Sequence, residues 1–206
     1  MKKRPQLYFS FRSPYSWLAL RKLRTTIADL DEVFDVRPYW DPDEQTSASL
    51  AARGGEFHYQ QMSRAKHLYM LLDTKRLTTA SGVSMAWPID IDSWWELPHL
   101  AFLYARRAGR AWPFYDAIVE ARWGRAEDIC TSEVVAAAAR TAGLDPDAVL
   151  AAADDPEIRA EAVDCLYAAY RDDIFGIPYI KWGHQRYWGL DRVDTFLSAF
   201  LEGARS

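Results

Sequence analysis

The sequence predicts an α/β fold in which a βαβ unit and a ββα unit flank a block of helices. Hydrophobic residues alternate with period two near both ends of the chain and recur at helical spacing from Pro42 to Ala169. Half of the 206 residues are hydrophobic and 26% are charged, a composition that buries enough apolar surface to offset chain entropy and excludes disordered, collagen-like and low-complexity chains.

The elements follow in order. Gln6 to Phe11 carries alternating large apolar residues and runs into Ser13-Pro14, where a proline at the first helical position is a start signal, so a strand feeds a helix. Trp17, Leu18, Leu20, Leu23 and Ile27 then share a helical face, with Arg21, Lys22 and Arg24 for the wet side, until Asp29 to Asp31 close the helix. Val33 to Tyr39 alternates again as a second strand, and two strands joined by a helix of this length should be parallel with a right-handed crossover. Helices are predicted over Met62–Thr79, Leu97–Ala108 and Pro113–Trp123, then from Ser132 to a stop at Gly143, then from Pro146 and from Pro156. Pro178 to Trp182 and Gln185 to Trp188 read as a hairpin turning at Gly183-His184, followed by a helix from Asp191 to Leu201. There is no internal repeat and no linker of biased composition. Residues 1–42 and 170–206 therefore read as one discontinuous α/β domain, and 43–169 as a helical domain inserted into it.

With 25 basic against 29 acidic residues the net charge is −4 and no basic stripe stands out. That argues against nucleic acid and anionic membrane as partners and for small molecules. Cys130 and Cys165 form neither a disulfide framework nor a metal-ligand pair, and His58, His67, His99 and His184 show no ligand spacing, so no metal is expected. Lys2-Lys3-Arg4 reads as a solvated end. Arg12 interrupts any signal-peptide apolar run, and nothing later approaches 18 apolar residues, so the expectation is a cytoplasmic protein.

The order βαβ, helices, ββα is that of the thioredoxin fold with a helical insertion between the second and third strands. YFSFRSPYSWLAL, KHLYMLLDTKR, the tripeptide GIP and the ending YWGLDRV occur in this order along nearly the whole chain. On these motifs the sequence resembles the 2-hydroxychromene-2-carboxylate isomerases and their relatives the kappa-class glutathione transferases, in the DsbA-like branch of thioredoxin folds.

Redox members of the fold open the first helix with Cys-x-x-Cys. Here Ser13-Pro14-Tyr15-Ser16 holds that place, and without an attacking thiolate disulfide exchange is excluded at this site. A hydroxyl still donates a hydrogen bond to a thiolate brought by a cofactor, and the resemblance implies that Ser13 does so for glutathione or another low-molecular-weight thiol. A hydrogen bond to a charged group contributes roughly 1.5–3 kcal/mol and a helix N-terminus about 0.3–1 kcal/mol. At about 1.4 kcal/mol per tenfold, that holds a thiol of ordinary acidity largely ionised at neutral pH without a general base. The plainer role of Ser13 is to cap the helix, and one serine serves both roles.

Lys66, Tyr69, Asp73 and Arg76 share one helical face. The resemblance assigns Lys66 to the glycyl carboxylate of glutathione, and the alternative is an ordinary amphipathic helix with Asp73 paired to Arg76 or Lys66. The family pattern also places an asparagine upstream of this lysine, and this sequence contains none. Either another residue from Ser47 to Gln61 takes that contact, or the thiol differs or is not used. Ile177-Pro178 matches the loop where the fold carries a cis-proline, whose preceding backbone N–H and C=O pair with a glutathione-like ligand as an added strand would; the alternative is a trans proline opening a strand. Leu190 and Asp191, at the start of the last helix, are implied to meet the γ-glutamyl carboxylate and α-amino group, with Asp191 alternatively a plain N-cap.

Tyr15, Trp40 and Trp87 are the candidate walls of an apolar substrate pocket beside Ser13. The segment Trp40 to Glu44 reads as an acidic turn, and Ala121-Arg122-Trp123-Gly124, which also resembles the family, is assigned to packing. These readings converge on a thiol-dependent cis–trans isomerase of an aromatic or conjugated unsaturated acid, in a chain that the resemblance suggests is a homodimer. A glutathione transferase and a redox-inactive binding module are the rivals.

Overall fold

Four short strands form one mixed sheet in the order β2-β1-β3-β4 in the computed structural model, which describes residues 4–59 and 62–205. Strand β1 (Gln6–Phe9) pairs in parallel with β2 (Asp35–Pro38) and antiparallel with β3 (Tyr179–Trp182), which pairs antiparallel with β4 (Gln185–Trp188). β1 is a central strand covered on both faces, so Leu7, Tyr8 and Phe9 are all fully buried and alternation gives way to a continuous apolar run. β2 lies at the sheet edge and ends at Pro38, a position where the missing N–H breaks no ladder.

Helix α1 (Pro14–Thr26) connects the parallel strands, burying Leu18, Ala19, Leu20 and Leu23 and exposing Arg21 and Lys22, as its spacing requires. The strand predicted from Val33 begins at Asp35 because a one-turn helix, α2 (Leu30–Val33), occupies the aspartate-rich segment expected to be a stop. The acidic turn after β2 is the start of an unpredicted helix, α3 (Glu44–Ala52). Asp43 caps it by accepting the Thr46 N–H at 2.8 Å, so the carboxylate that looked like loop chemistry is a helix start.

The rest of the block follows the predicted order: α4 (Arg64–Ala80), α5 (Glu96–Arg107), α6 (Ala111–Val119), α7 (Ser132–Thr141), α8 (Pro146–Ala151) and α9 (Pro156–Arg171). The helix expected over Pro113–Trp123 widens into a π-helical turn at Glu120–Gly124. Gly143 ends α7 with φ +73° and the reverse bond from Leu144 N–H to Ala139 C=O, a Schellman-type stop. After the hairpin a 3₁₀ turn at Leu190–Arg192 precedes α10 (Val193–Arg205), so the last helix starts two residues later than predicted. One apolar cluster joins both regions, with Phe9 and Phe11 packing edge-on to Phe102 of α5.

Helix α4 is the least buried long helix: only Thr74 and Thr78 are inaccessible, while Leu68, Tyr69 and Leu72 are exposed. Arg4, read as part of a solvated end, is exposed but donates to the Phe34 carbonyl at 2.6 Å; Lys2, Lys3, Gln60 and Gln61 lie outside the described residues. No described helix is long and apolar enough to cross a membrane.

Replacing Gly143 by alanine places a Cβ in a left-handed conformation and should cost roughly 1–2 kcal/mol, read as a lower urea midpoint with an unchanged slope.

Candidate active site

β1 and β2 are parallel, so their carboxyl ends define one edge of the sheet, the edge at which α/β folds place ligands. Tyr8 of β1 lies opposite Tyr179 of β3, which lies opposite Trp188 of β4. That register brings Ser13, the Ile177-Pro178 loop and the Gly189–Arg192 turn to the same edge. The Ile177-Pro178 bond is cis, and Gly189 N–H donates to Pro178 C=O at 2.9 Å, joining the two loops. Gly176 belongs to this junction for a steric reason, since a Cβ there would sit 2.7 Å from Nε1 of Trp188.

The corner between β1 and α1 uses nearly all its own polar groups. Ser13 N–H donates to Ser10 C=O (3.1 Å), Arg12 N–H to Ser10 Oγ (3.2 Å) and Ser10 N–H to Ser16 Oγ (3.4 Å). Ser13 Oγ accepts the Ser16 N–H at 3.1 Å, so the helix-cap role is real. The cap uses the oxygen as acceptor and leaves the Ser13 O–H to donate. Pro14 has no N–H, and the Tyr15 N–H has no partner among the described residues. A half-buried O–H and a bare amide therefore point from the start of a 13-residue helix. Across the edge, the Ile177 N–H and C=O likewise have no partner among the described residues, as an added strand requires.

His99 on α5 holds this corner from below. Its Nδ1 lies 2.6 Å from Trp95 C=O, which only accepts, so Nδ1 carries the proton. Nε2 then accepts from Phe11 N–H and from the Ser10 hydroxyl, each at 3.3 Å. Burial pushes His99 down to about 3, so the ring is neutral, and it stacks on Trp40 at 5.0 Å. Glu96, one turn earlier and fully buried, accepts from Trp40 Nε1 and from Asp43 N–H, and burial raises it to about 7. No signal in the sequence marks His99, because its partners in the corner, Phe11 and Ser10, stand 88 and 89 positions away.

The remaining candidates divide. Tyr15 is half-buried and its hydroxyl donates to Asp73 Oδ2 at 2.8 Å, while Asp73 also pairs with Arg76 at 2.9 Å, so Tyr15 latches α4 to the first turn of α1. Lys66 lies exposed on α4, seven residues before that latch. Leu190 is half-buried in the 3₁₀ turn, which packs against α1; Asp191 is exposed, pairs with Arg192 at 3.3 Å and makes no cap bond among the described contacts. Trp87 is half-buried against Trp123 (5.8 Å), which stacks on Trp17 of α1 (5.9 Å). A cleft of about 240 Å³ opens between Trp87, Met85 and the Leu71, Lys75 and Thr78 side of α4, one aromatic layer from α1. Trp40 is a correction: it is 2% exposed, sandwiched into the core by His99 and Glu96, and walls no open pocket. The Ala121–Gly124 segment is the buried π-helical turn, with Arg122 paired bidentately to Asp90 at 2.9 Å.

Neither cysteine competes for the chemistry. Burial pushes Cys130 up to about 12 and Cys165 up to about 11, and the latter is inside α9. Among the described residues no group of three or more His, Cys, Asp or Glu side chains could hold a metal ion.

A four-stranded mixed sheet, a cis-proline immediately before the third strand and a helical insertion define a thioredoxin-fold protein. The chain belongs to the DsbA-like thioredoxin domain family, whose sequence model matches residues 6–201. It is 29% identical over 203 residues to a 2-hydroxychromene-2-carboxylate isomerase of Sphingobium xenophagum, covering 98% of this chain and 99% of that protein. It is 21% identical over 192 residues to the enzyme of the same name from Pseudomonas putida, covering 93% and 91%. A solved 2-hydroxychromene-2-carboxylate isomerase superposes with a TM-score of 0.74 at 20% identity, over 98% of this chain and 96% of that one.

The two buried acid–base groups give opposite pH signatures. His99, depressed from about 6.5 in the unfolded chain to about 3, contributes stability that is present above pH 6.5 and lost as pH falls. Glu96, raised from about 4.3 unfolded to about 7, contributes stability that is present at low pH and lost as pH rises through 7. Relative to wild type, Glu96→Gln should gain about 1.4 kcal/mol per pH unit between pH 4.5 and 7, and His99→Gln should lose ground over the same rise. Urea melts at three pH values measure both.

Proposed function

We propose that this protein is a thiol-dependent cis–trans isomerase of the 2-hydroxychromene-2-carboxylate isomerase type, acting on an aromatic or conjugated unsaturated acid. The observation that carries the reading is the state of Ser13: its oxygen is used as a cap acceptor, its O–H is left to donate, and the first turn of its helix contains no cysteine. The unpaired donors fit a thiolate, and the unpaired Ile177 backbone fits the peptide part of glutathione or a similar thiol. Bound there, such a thiol supplies a sulfur nucleophile that adds reversibly to a conjugated carbon, so that the former double bond rotates before the sulfur leaves unchanged.

The chain's own groups then have separate tasks. The Ser13 O–H and the Tyr15 N–H stabilise negative charge on sulfur, so the nucleophile is ionised before the substrate arrives. His99 fixes the corner carrying Ser13, so the donor is oriented in advance. Tyr15 and Asp73 set α4 across the helix start. Lys66 then lies about 10 Å along the helix axis from the latch, comparable with the span of an extended tripeptide, which supports it as partner to a terminal carboxylate. The cleft beside Trp87 is lined by Leu71, Met85 and Trp87 with one threonine and one lysine, a lining suited to an aromatic acid.

Isomerisation of 2-hydroxychromene-2-carboxylate should require added glutathione without consuming it. Activity undiminished in thiol-free enzyme removes the reading, and a thioether conjugate that accumulates assigns a transferase instead. Ser13→Ala should lower kcat at least tenfold, since a hydrogen bond to a charged group is worth roughly 1.5–3 kcal/mol. Lys66→Ala should raise the KM for glutathione about tenfold with kcat little changed, as measured by varying thiol at saturating substrate.

A further inference from the structure

We propose that Arg12 is a carboxylate-binding residue of this site, receiving the acid group of the substrate or of the thiol. The inference rests on the Ser13 reading and extends it to the residue before.

Arg12 is one peptide bond from Ser13, at the carboxyl end of β1, on the edge that also holds Ile177-Pro178 and the Gly189 turn. Its Nη1 pairs with Asp41, which lies beyond the carboxyl end of β2, so the ion pair spans the two parallel strands where the sheet presents its ligand edge. The guanidinium carbon lies 5.5 Å from the Trp95 ring centroid and 5.9 Å from that of Tyr59. One carboxylate and two aromatic faces thus fix a long side chain that would otherwise lose rotamer freedom on binding.

The fixed group is not saturated. Arginine carries five N–H donors in a planar fork. At Arg12 one of them meets Asp41, the others have no partner among the described residues, and the side chain is 43% exposed. Arg53 is pinned in a comparable way, by Asp164 and the Tyr167 ring at 41% exposure, but at the end of α3 against α9 rather than next to Ser13, and two further arginines are committed to partners within the fold. Arg122 is 2% exposed and meets both oxygens of Asp90, and Arg106 donates to Val36 C=O and to Glu161. Arg12 combines a pre-set position, open donors and adjacency to the nucleophile's site. Two parallel N–H groups match a carboxylate.

The test varies Arg12 and Asp41 in the full-length chain. Arg12→Met keeps an unbranched apolar stem on Trp95 and Tyr59, and Arg12→Lys keeps a charge without the fork. With 2-hydroxychromene-2-carboxylate as substrate and glutathione as thiol, Arg12→Met should raise one KM at least tenfold, with Arg12→Lys between it and wild type. A rise in the substrate KM alone assigns the substrate's carboxylate, and a rise in the glutathione KM alone assigns the thiol's. Both KM values within twofold of wild type overturn the proposal. Asp41→Asn separates binding from bracing: it should leave the affected KM unchanged or lower, and a rise equal to that of Arg12→Met shows a structural ion pair only. If wild type proves inactive, the isomerase reading falls and Arg12 is judged by binding. Benzoate or glutathione, titrated separately by tryptophan fluorescence, should then bind at least tenfold more weakly to Arg12→Met, with benzamide as the uncharged control. Equal binding to both proteins sinks the proposal.

Discussion

The arrangement of the site depends on one constraint, that the polar groups of the buried corner from Ser10 to Ser16 be paired. Three of the backbone donors are met by hydroxyls inside the corner, one by the Ser10 carbonyl, and one by a histidine reaching in from α5. An unpaired buried donor costs about 1–3 kcal/mol, so the corner has few other ways to satisfy itself. The groups left over, the Ser13 O–H and the Tyr15 N–H, face outward from the start of α1. The donors proposed to meet a thiolate are those that structural hydrogen bonding leaves unused.

The helical block serves this corner in two ways. From beneath, α5 supplies His99 and the buried Glu96, tied through Trp40, Asp43 and Arg159 to the end of β2 and the start of α3. Buried charges of this kind contribute little net stability against apolar replacements; what they do here is fix where α5 lies relative to the strand ends. From the side, α4 is held by the Tyr15–Asp73 latch and two buried threonines rather than by a broad apolar face. A helix attached so lightly buries little surface and belongs to the low end of local stability within the fold.

Much of this was legible beforehand. Ser13-Pro14 announced both the helix start and the absence of a dithiol, Gly176-Ile177-Pro178 the loop beside it, and Gly143 the end of α7, because each is a local backbone requirement written in a few adjacent residues. The helix at Glu44–Ala52 was missed because Asp43 and its neighbours resemble loop acids until the Thr46 amide is seen to be their partner. Trp40 was misplaced because an aromatic beside a strand end has the same sequence signature whether it faces a pocket or stacks on a buried histidine.

By itself the sequence determined the order of the strands and most of the helices, the parallel first pair of strands and the serine in place of cysteine, since periodicity, proline and residue type act over short range, while the cis bond at Ile177-Pro178 was expected only through the family resemblance. Tertiary structure alone decided which groups meet: His99 under Phe11, Tyr15 against Asp73, Arg12 between Asp41, Trp95 and Tyr59. These contacts join residues 29 to 88 positions apart. Hydrogen bonds and ion pairs need atoms within a few ångströms, and only the packed chain sets distances on that scale.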